Sequence, residues 1–314
     1  MLNIVNNDEE FLNFMEEYNI ISNENSQLCS ECQCYFKLRI RKRKYFNSFL
    51  LVCHKCKSEE SLFNNTFFAS KSEIGNSRIK LAPQAIFKLI FYYINGKTHK
   101  EMMSLTSIRS PTTIVAWCDS IRQEVHNYID SEVLGGPGSI VQIDESLFRG
   151  RRKNNKGRYL LSDIVDSLPI NPRRCNNYGD RLNGPWIFGM IEKGTRNVKM
   201  YYVENRSAEV LIPLIRKHIH FESIIWSDEW RAYSRLGEYF AAHQTINHSQ
   251  NFIDPNTEVY TQLIECVWSH AKLAIMRNKK GTNLSKLQSH LSFFCFLYRY
   301  KYQDQLTKFF EILK

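Results

Sequence analysis

An α/β architecture, preceded by a small cysteine-stapled unit and a group of helices, is predicted by three features of the 314-residue chain. Strand-like apolar runs at 140–143, 186–191, 198–203 and 224–226 are interrupted by a helical segment at 208–218, an alternation that builds a sheet with helices on both faces. Cys29, Cys32, Cys53 and Cys56 form two C-x-x-C pairs. Between these regions three helical patterns follow one another across short turns.

Taken in order, residues 1–25 form an acidic, Asn-rich extension whose amphipathic segment, Phe11-Leu-Asn-Phe-Met, suits a short helix packed on the neighbouring cysteine-stapled unit. Residues 26–70 read as a metal-stapled unit, with a basic, β-prone stretch between the cysteine pairs. Pro83 opens a helix with Ile86, Leu89, Ile90 and Tyr93 on one face, and Asn95-Gly96 stops it. Thr98-His-Lys-Glu101 matches a capping box for a second helix. Ser110-Pro111 opens a third, with Ile114, Trp117, Cys118, Ile121 and Val125 on its apolar face, so residues 80–130 are a helix-turn-helix candidate. After the Gly-rich linker at 134–138, the α/β region occupies 138–305. Pro213 inside the 208–218 helix implies a kink or a late start. Residues 159–183 have no period and are assigned as an insertion or loop. A long helix is expected over 258–276, with Ile264, Val267, Trp268, Ala271 and Ile275 inward, and a last aromatic helix over 284–302.

The totals narrow the function classes. Lys and Arg number 42 against 32 Asp and Glu, a net charge of +10 with pI near 9.1, which favours a polyanionic partner. Nucleic acid is the first expectation and an anionic membrane surface the second. No apolar stretch is long enough to span a bilayer, and the first ten residues lack the basic start and apolar middle of a signal peptide, so an intracellular, membrane-free protein is expected. Nine cysteines in such a compartment point to metal rather than disulfides, at least for the four that are paired in sequence.

Twenty residues, 33–52, separate the two C-x-x-C pairs, the window of a four-cysteine zinc site, so one structural Zn²⁺ is expected on Cys29, Cys32, Cys53 and Cys56. Cys34 and His54 lie close enough to substitute for one of the four. Between the pairs Lys37, Arg39, Arg41, Lys42, Arg43 and Lys44 alternate with apolar residues. A hairpin so patterned can lay a basic face on a phosphate backbone, act as a nuclear import signal, or be a solvated face. In the helical segment Arg109, Thr112, Thr113 and Arg122 can reach DNA, with ordinary surface placement as the alternative.

Three acidic residues carry the chemistry. Asp144 and Asp228 end apolar, β-branched runs, and Glu265 lies within a helical pattern beside the apolar stripe. A carboxylate at the end of a buried strand is costly unless a cation or a partner meets it. Three on rigid elements suit two Mg²⁺ or Mn²⁺ ions, which prefer carboxylate oxygens and accept phosphate oxygens to complete their shells. The bland alternative makes Asp144 and Asp228 turn residues and Glu265 a solvated one. Glu145 and Glu229 are available substitutes, and Lys272 lies seven residues beyond Glu265 on nearly the same helix face.

Taken together, these residues resemble the DDE transposases of the Merlin superfamily and their ISXO-like bacterial insertion-sequence relatives. The match rests on the zinc-ribbon start, the helix-turn-helix, Val141-Gln-Ile-Asp-Glu145, Gly184-Pro-Trp-Ile-Phe-Gly189, Ser227-Asp-Glu-Trp-Arg-Ala-Tyr233, Asn247-His-Ser249, and Ile264-Glu-Cys-Val-Trp-Ser-His-Ala-Lys272 followed by Gly281. The resemblance implies an RNase H-like core in which Asp144, Asp228 and Glu265 hold two Mg²⁺ or Mn²⁺ ions, with Asp144 bridging. One ion activates water or a DNA 3′-hydroxyl, and the other steadies the leaving oxygen. His248 and Lys272 become accessory residues near the scissile phosphate. Element inverted repeats and target DNA, both double-stranded, are the implied partners, with a homo-oligomer holding two ends. A domesticated DNA-binding protein and a metal-dependent nuclease are the rival readings. The basic hairpin and the Merlin-like pattern favour a eukaryotic nucleus, and a bacterial cytoplasm fits the fold equally.

Overall fold

The computed structural model describes residues 2–22, 27–42, 47–69, 81–148, 184–246, 261–278 and 282–313. Arg43, Lys44, His248, Gly281 and the insertion expected at 159–183 lie outside the described residues. The chain divides into two compact units, one comprising Met1–Val125 with Tyr300–Lys314 and the other His126–Arg299.

In the first unit, helix α1 (Asp8–Glu17) is started by Asn7, whose side chain accepts from the amide of Glu9 at 3.0 Å. Asp8, Glu9 and Glu10 then place negative charge at the positive end of the helix. Its buried stripe of Phe11, Phe14 and Met15 confirms the amphipathic reading of this segment. Strands β1 (Phe36–Arg41), β2 (Ser48–Cys53) and β3 (Glu59–Ser61) form an antiparallel sheet in that order. Phe11 joins it to the helices, with its ring 6.1 Å from Phe49 of β2 and 5.9 Å from Phe87 of α2 (Pro83–Ile94). Helix α2 starts at a proline, whose missing N–H would have been unpaired there anyway, and gives way to Gly96 at φ +75. The predicted capping box of Thr98 and Glu101 opens α3 (His99–Thr106). Ser110 accepts from the amide of Thr113 at the start of α4 (Pro111–Ser131). Every apolar position predicted for the inner faces of α2 and α4 is buried.

The second unit is built on a mixed five-stranded sheet. Strands β4 (Ile140–Leu147), β5 (Trp186–Glu192) and β6 (Val198–Val203) are successively antiparallel, and the β5–β6 hairpin turns at Gly194, φ +81. The connection through α5 (Ala208–His218) brings β7 (Ile224–Asp228) parallel to β4, as a parallel pairing requires of its crossover. Helix α5 runs through Pro213, one backbone donor short. Strand β8 (Ala242–Ile246) pairs parallel with β7, giving the order β6-β5-β4-β7-β8.

Alternation along β4 sorts its side chains between the faces. Val141 and Ile143 join Phe188, Met190, Tyr201, Leu211, Ile215 and Ile225 in a core beneath α5. Gln142 and Asp144 face the other way, toward α6 (Gln262–Lys272), whose predicted inward positions are buried and which continues as a π-helical turn over Leu273–Asn278. Helix α7 (Leu284–Arg299) closes the β6 edge: Gln288 accepts from the amide of Tyr202 at 2.9 Å and donates to the carbonyl of Met200 at 3.0 Å. The side chain thus supplies the bonds a further strand would make. Helix α8 (Gln305–Ile312) belongs to the first unit, where Phe310 packs between Phe14 and Phe87.

Candidate functional site

Asp144 and Asp228 are brought together by the β4–β7 register. Gln142 lies opposite Trp226 in this parallel pair, and the same offset two residues further along places Asp144 beside Asp228. Both side chains lie on one face at one end of neighbouring strands. Glu265, in the first turn of α6, is close enough that its charge acts on Asp144, as does that of Asp228. Burial foremost, then these like charges, push the Asp144 carboxyl up to about 6, against hydrogen bonds that favour its ionised form.

Two bonds to the face of β4 that carries Gln142 and Asp144 fix α6. The Trp268 indole N–H donates to Asp144 Oδ2 at 2.9 Å, and the amide of Ile264 donates to Gln142 Oε1 at 3.3 Å. Gln142 therefore satisfies a first-turn amide that Thr261, the residue before the helix, leaves uncapped. Thr261 instead donates its hydroxyl to Glu265 Oε1 at 3.3 Å. Trp268 can lie so low on the sheet because Gly189 faces Asp144 across the β4–β5 ladder. A Cβ at Gly189 would come within 2.6 Å of two Trp268 ring atoms. The half-buried Lys272 lies over the Phe148 ring at 5.7 Å, and that ring meets Trp268 edge-on at 6.0 Å.

Glu145 points to the opposite face, as the alternation requires. The Tyr233 hydroxyl donates to it, Arg206 lies 4.0 Å away, and burial pushes its carboxyl up to about 7. Glu229 is exposed. Neither joins the Asp144 face, so neither replaces Asp144 or Asp228 there. The oxygen donors of Asp144, Asp228 and Glu265 are of the kind that Mg²⁺ and Mn²⁺ take. Among the described residues these three do not all close to within 4.8 Å of one another, as the four cysteines do.

The thiol cluster has two matching knuckles. The amide of Gln33 donates to the carbonyl of Cys29 at 2.9 Å and that of Lys57 to the carbonyl of Cys53 at 3.2 Å, with Gln33 and Lys57 both in the left-handed region. The result sets Cys29 Sγ 3.5 Å from Cys56 Sγ and Cys32 Sγ 3.3 Å from Cys53 Sγ. Cys34 and His54 are not in this set. The Ser58 hydroxyl, above all, holds the Cys29 thiol down to about 6, toward the thiolate that zinc binds. Four sulfur donors so placed can hold a structural Zn²⁺. Stripping zinc with a strong chelator, or Cys53→Ser, is expected to open residues 27–61 to limited proteolysis, with close to one equivalent of zinc released per wild-type chain. Full protease resistance after zinc loss would rule out a stapling role.

The residues expected to meet DNA divide into three groups. Lys37, Arg109 and Thr112 are exposed. Arg39 and Arg41 are exposed but paired with Glu59 at 3.4 and 2.9 Å, contacts of little energetic weight in water. Thr113 and Arg122 are corrections: both are buried, and Arg122 donates to the Tyr93 hydroxyl at 2.6 Å and pairs with Asp119. A helix face read from periodicity does not distinguish a flanking arginine that turns inward to such partners. Trp268, Gly189 and Gln142 join the site without being marked as site residues by the sequence pattern. The signals for them are slight: Gly189 closes Gly184-Pro-Trp-Ile-Phe-Gly189, and Gln142 interrupts an apolar strand.

Comparison with known proteins agrees with the sequence resemblance. A 70-residue stretch is 34% identical to an uncharacterized transposase-like protein of Haemophilus influenzae. It spans 22% of this chain and 55% of that protein, so the chain covers about half the length of the relative it matches. A distant likeness, with a TM-score of 0.31 and 11% identity over 67% of each chain, links it to a chain in the cryo-EM structure of a simian T-cell lymphotropic virus intasome in complex with PP2A regulatory subunit B56 gamma. The ISXO2-like transposase domain matches residues 134–298, a span that takes in the whole mixed sheet, Asp144, Asp228 and Glu265. With more than half of its length matched in this way, the chain belongs to the ISXO2-like transposase family.

Proposed function

We propose that this chain is a DNA transposase that cleaves DNA at element ends and joins it to a target, using Asp144, Asp228 and Glu265 as the ligands of two divalent cations. The placement of Asp144 and Asp228 on one face of neighbouring parallel strands, beneath the helix that carries Glu265, is the observation that carries this reading. The strand order β6-β5-β4-β7-β8, with β5 alone antiparallel to the rest, supports an RNase H-like core. Bound cations supply activation of the attacking hydroxyl and stabilisation of the leaving oxygen.

The chain's own residues do the rest. Trp268 holds one oxygen of Asp144 and leaves the other to bind. The amide of Trp230 holds Asp228 Oδ1 at 3.0 Å, and Thr261 steadies Glu265. Lys272, on the turn of α6 beyond these, adds a cation for phosphate, and His248 is the further accessory residue. Helices α2 to α4 serve as the helix-turn-helix, with Arg109 and Thr112 exposed near the α3–α4 turn. Lys37 and its neighbours on the zinc-stapled sheet supply a second basic face for double-stranded DNA. Two such chains, each holding one element end, make the working oligomer, and the nucleus or the bacterial cytoplasm is its compartment.

The test is a cleavage and strand-transfer assay with purified protein, Mg²⁺ or Mn²⁺, and DNA carrying the gene's own flanks, comparing wild type with Asp228→Ala. Metal-dependent cutting and joining that fall at least about 10³-fold in the variant are expected, because loss of a metal ligand removes several kcal/mol of charge stabilisation. Cutting without joining would favour a nuclease. Tight, salt-sensitive binding with no cutting by either protein would favour a domesticated DNA binder.

A further inference from the structure

Beside the carboxylates stands a stack of three side chains that the proposed metal chemistry does not use. The Arg206 guanidinium lies 3.8 Å from the ring centroid of Trp186 and 4.6 Å from that of Trp230. Trp230 is 40% exposed, although it is one of the largest apolar side chains in the protein. Its exposure does not come with freedom. The backbone amide is bonded to Asp228 Oδ1 at 3.0 Å, and the indole N–H donates to the Arg206 carbonyl at 3.2 Å. The ring is therefore held in place, with its one polar group already satisfied inward. What remains to offer outward is an aromatic surface, two residues from Asp228.

We propose that Trp230, backed by Arg206 and Trp186, is a stacking platform for an unpaired nucleobase of the DNA strand at the carboxylate site. This rests on the reading of Asp144 and Asp228 as the centre that handles the strand. An indole face suits a base, since every base has a π-face, and suits phosphate poorly. Bases within a duplex already stack on one another, so the platform takes one that has left the helix or lies in a single-stranded end. The ordering cost of the tryptophan is met in the free protein by its two hydrogen bonds and by Arg206, so stacking gains are not spent on fixing the side chain.

The experiment measures, by fluorescence anisotropy, the binding of flank duplexes with short single-stranded ends in which one nucleotide at a time is replaced by an abasic analogue. The protein carries Asp144→Asn, so the strand stays uncut. At one or two positions the abasic change is expected to weaken binding about 10-fold, within the range known for single base–aromatic stacks. That sensitivity should vanish in Trp230→Ala and largely return in Trp230→Phe. Loss of it in both variants, or its persistence in Trp230→Ala, would overturn the proposal, as would a parent protein indifferent to abasic changes at every position. The cleavage assay separates this failure from that of the function itself. A Trp230→Ala protein that binds and cuts as well as wild type retires the platform and leaves the transposase reading in place. Absence of DNA binding and cutting in wild type removes both.

Discussion

Changing Gly189 to alanine is expected to disable the carboxylate site while the central sheet persists. The new Cβ would meet Cζ2 and Cη2 of Trp268 at 2.6 Å and Cδ1 of Ile264 at 3.0 Å. The two Trp268 atoms belong to a rigid ring, buried against Phe148, which cannot swing aside as the end of a lysine would. Helix α6 must lift, and with it go the indole bond to Asp144 and the position of Glu265. Such overpacking costs about 1–3 kcal/mol of stability, and a displacement of about 1 Å at a reacting centre costs on the order of 10² in rate. Metal-dependent cleavage should therefore fall far more than the melting temperature. Adding Trp268→Phe to Gly189→Ala makes room for the methyl group without restoring an N–H for Asp144. The double variant should regain stability and stay deficient in cleavage and in Mn²⁺ affinity measured by calorimetry. A single Gly189→Ala variant that melts and cuts like wild type would refute this account of Gly189.

Phe310→Ala is expected to destabilise the first unit by about 3–5 kcal/mol, the usual cost of emptying a fully buried phenylalanine site. Phe310 is fully buried, edge-on to Phe14 at 5.0 Å and stacked on Phe87 at 5.2 Å. Its removal leaves a cavity bounded by α1 and α2, and those rings cannot close it without breaking their contacts with Phe11 at 5.9 and, through Phe49, at 6.1 Å. Urea denaturation followed by near-ultraviolet circular dichroism measures the effect. Tyr302→Ala, at a residue 78% exposed, is the control and should change little. A loss below about 1 kcal/mol for Phe310→Ala would mean that α8 is a dispensable appendage.

These two residues mark the limit of what the linear pattern carries. Gly189 has no side chain to signal anything, and its role exists only because β5 lies antiparallel to β4 with Asp144 opposite and Trp268 above. Phe310 lies in a short apolar pattern, but its partners, Phe14 and Phe87, are 296 and 223 positions away, and no local period points to them. Strand β8 is absent from the linear pattern for a related reason. Ala-His-Gln-Thr-Ile is a polar edge strand, held by its ladder to β7 and by the Trp226 indole donating to Gln244 at 2.7 Å, and edge strands are kept polar to discourage further pairing.

By itself the sequence determined the elements whose signals are local. The stripes of α2, α4 and α6, the capping box of α3, the four apolar strands and the paired cysteines depend on spacings of a few residues, set by helical and strand geometry. It also marked Asp144 and Asp228, because a carboxylate that ends a buried strand needs a reason to be there. Only the tertiary structure decided that these two share a face, that Glu145 turns away to Tyr233, that Arg122 is buried on Tyr93, and that Trp230 stands fixed and exposed beside Asp228. Each of those outcomes is a matter of strand order, register and packing between residues far apart in the chain, and such contacts have no fixed spacing from which they could be read.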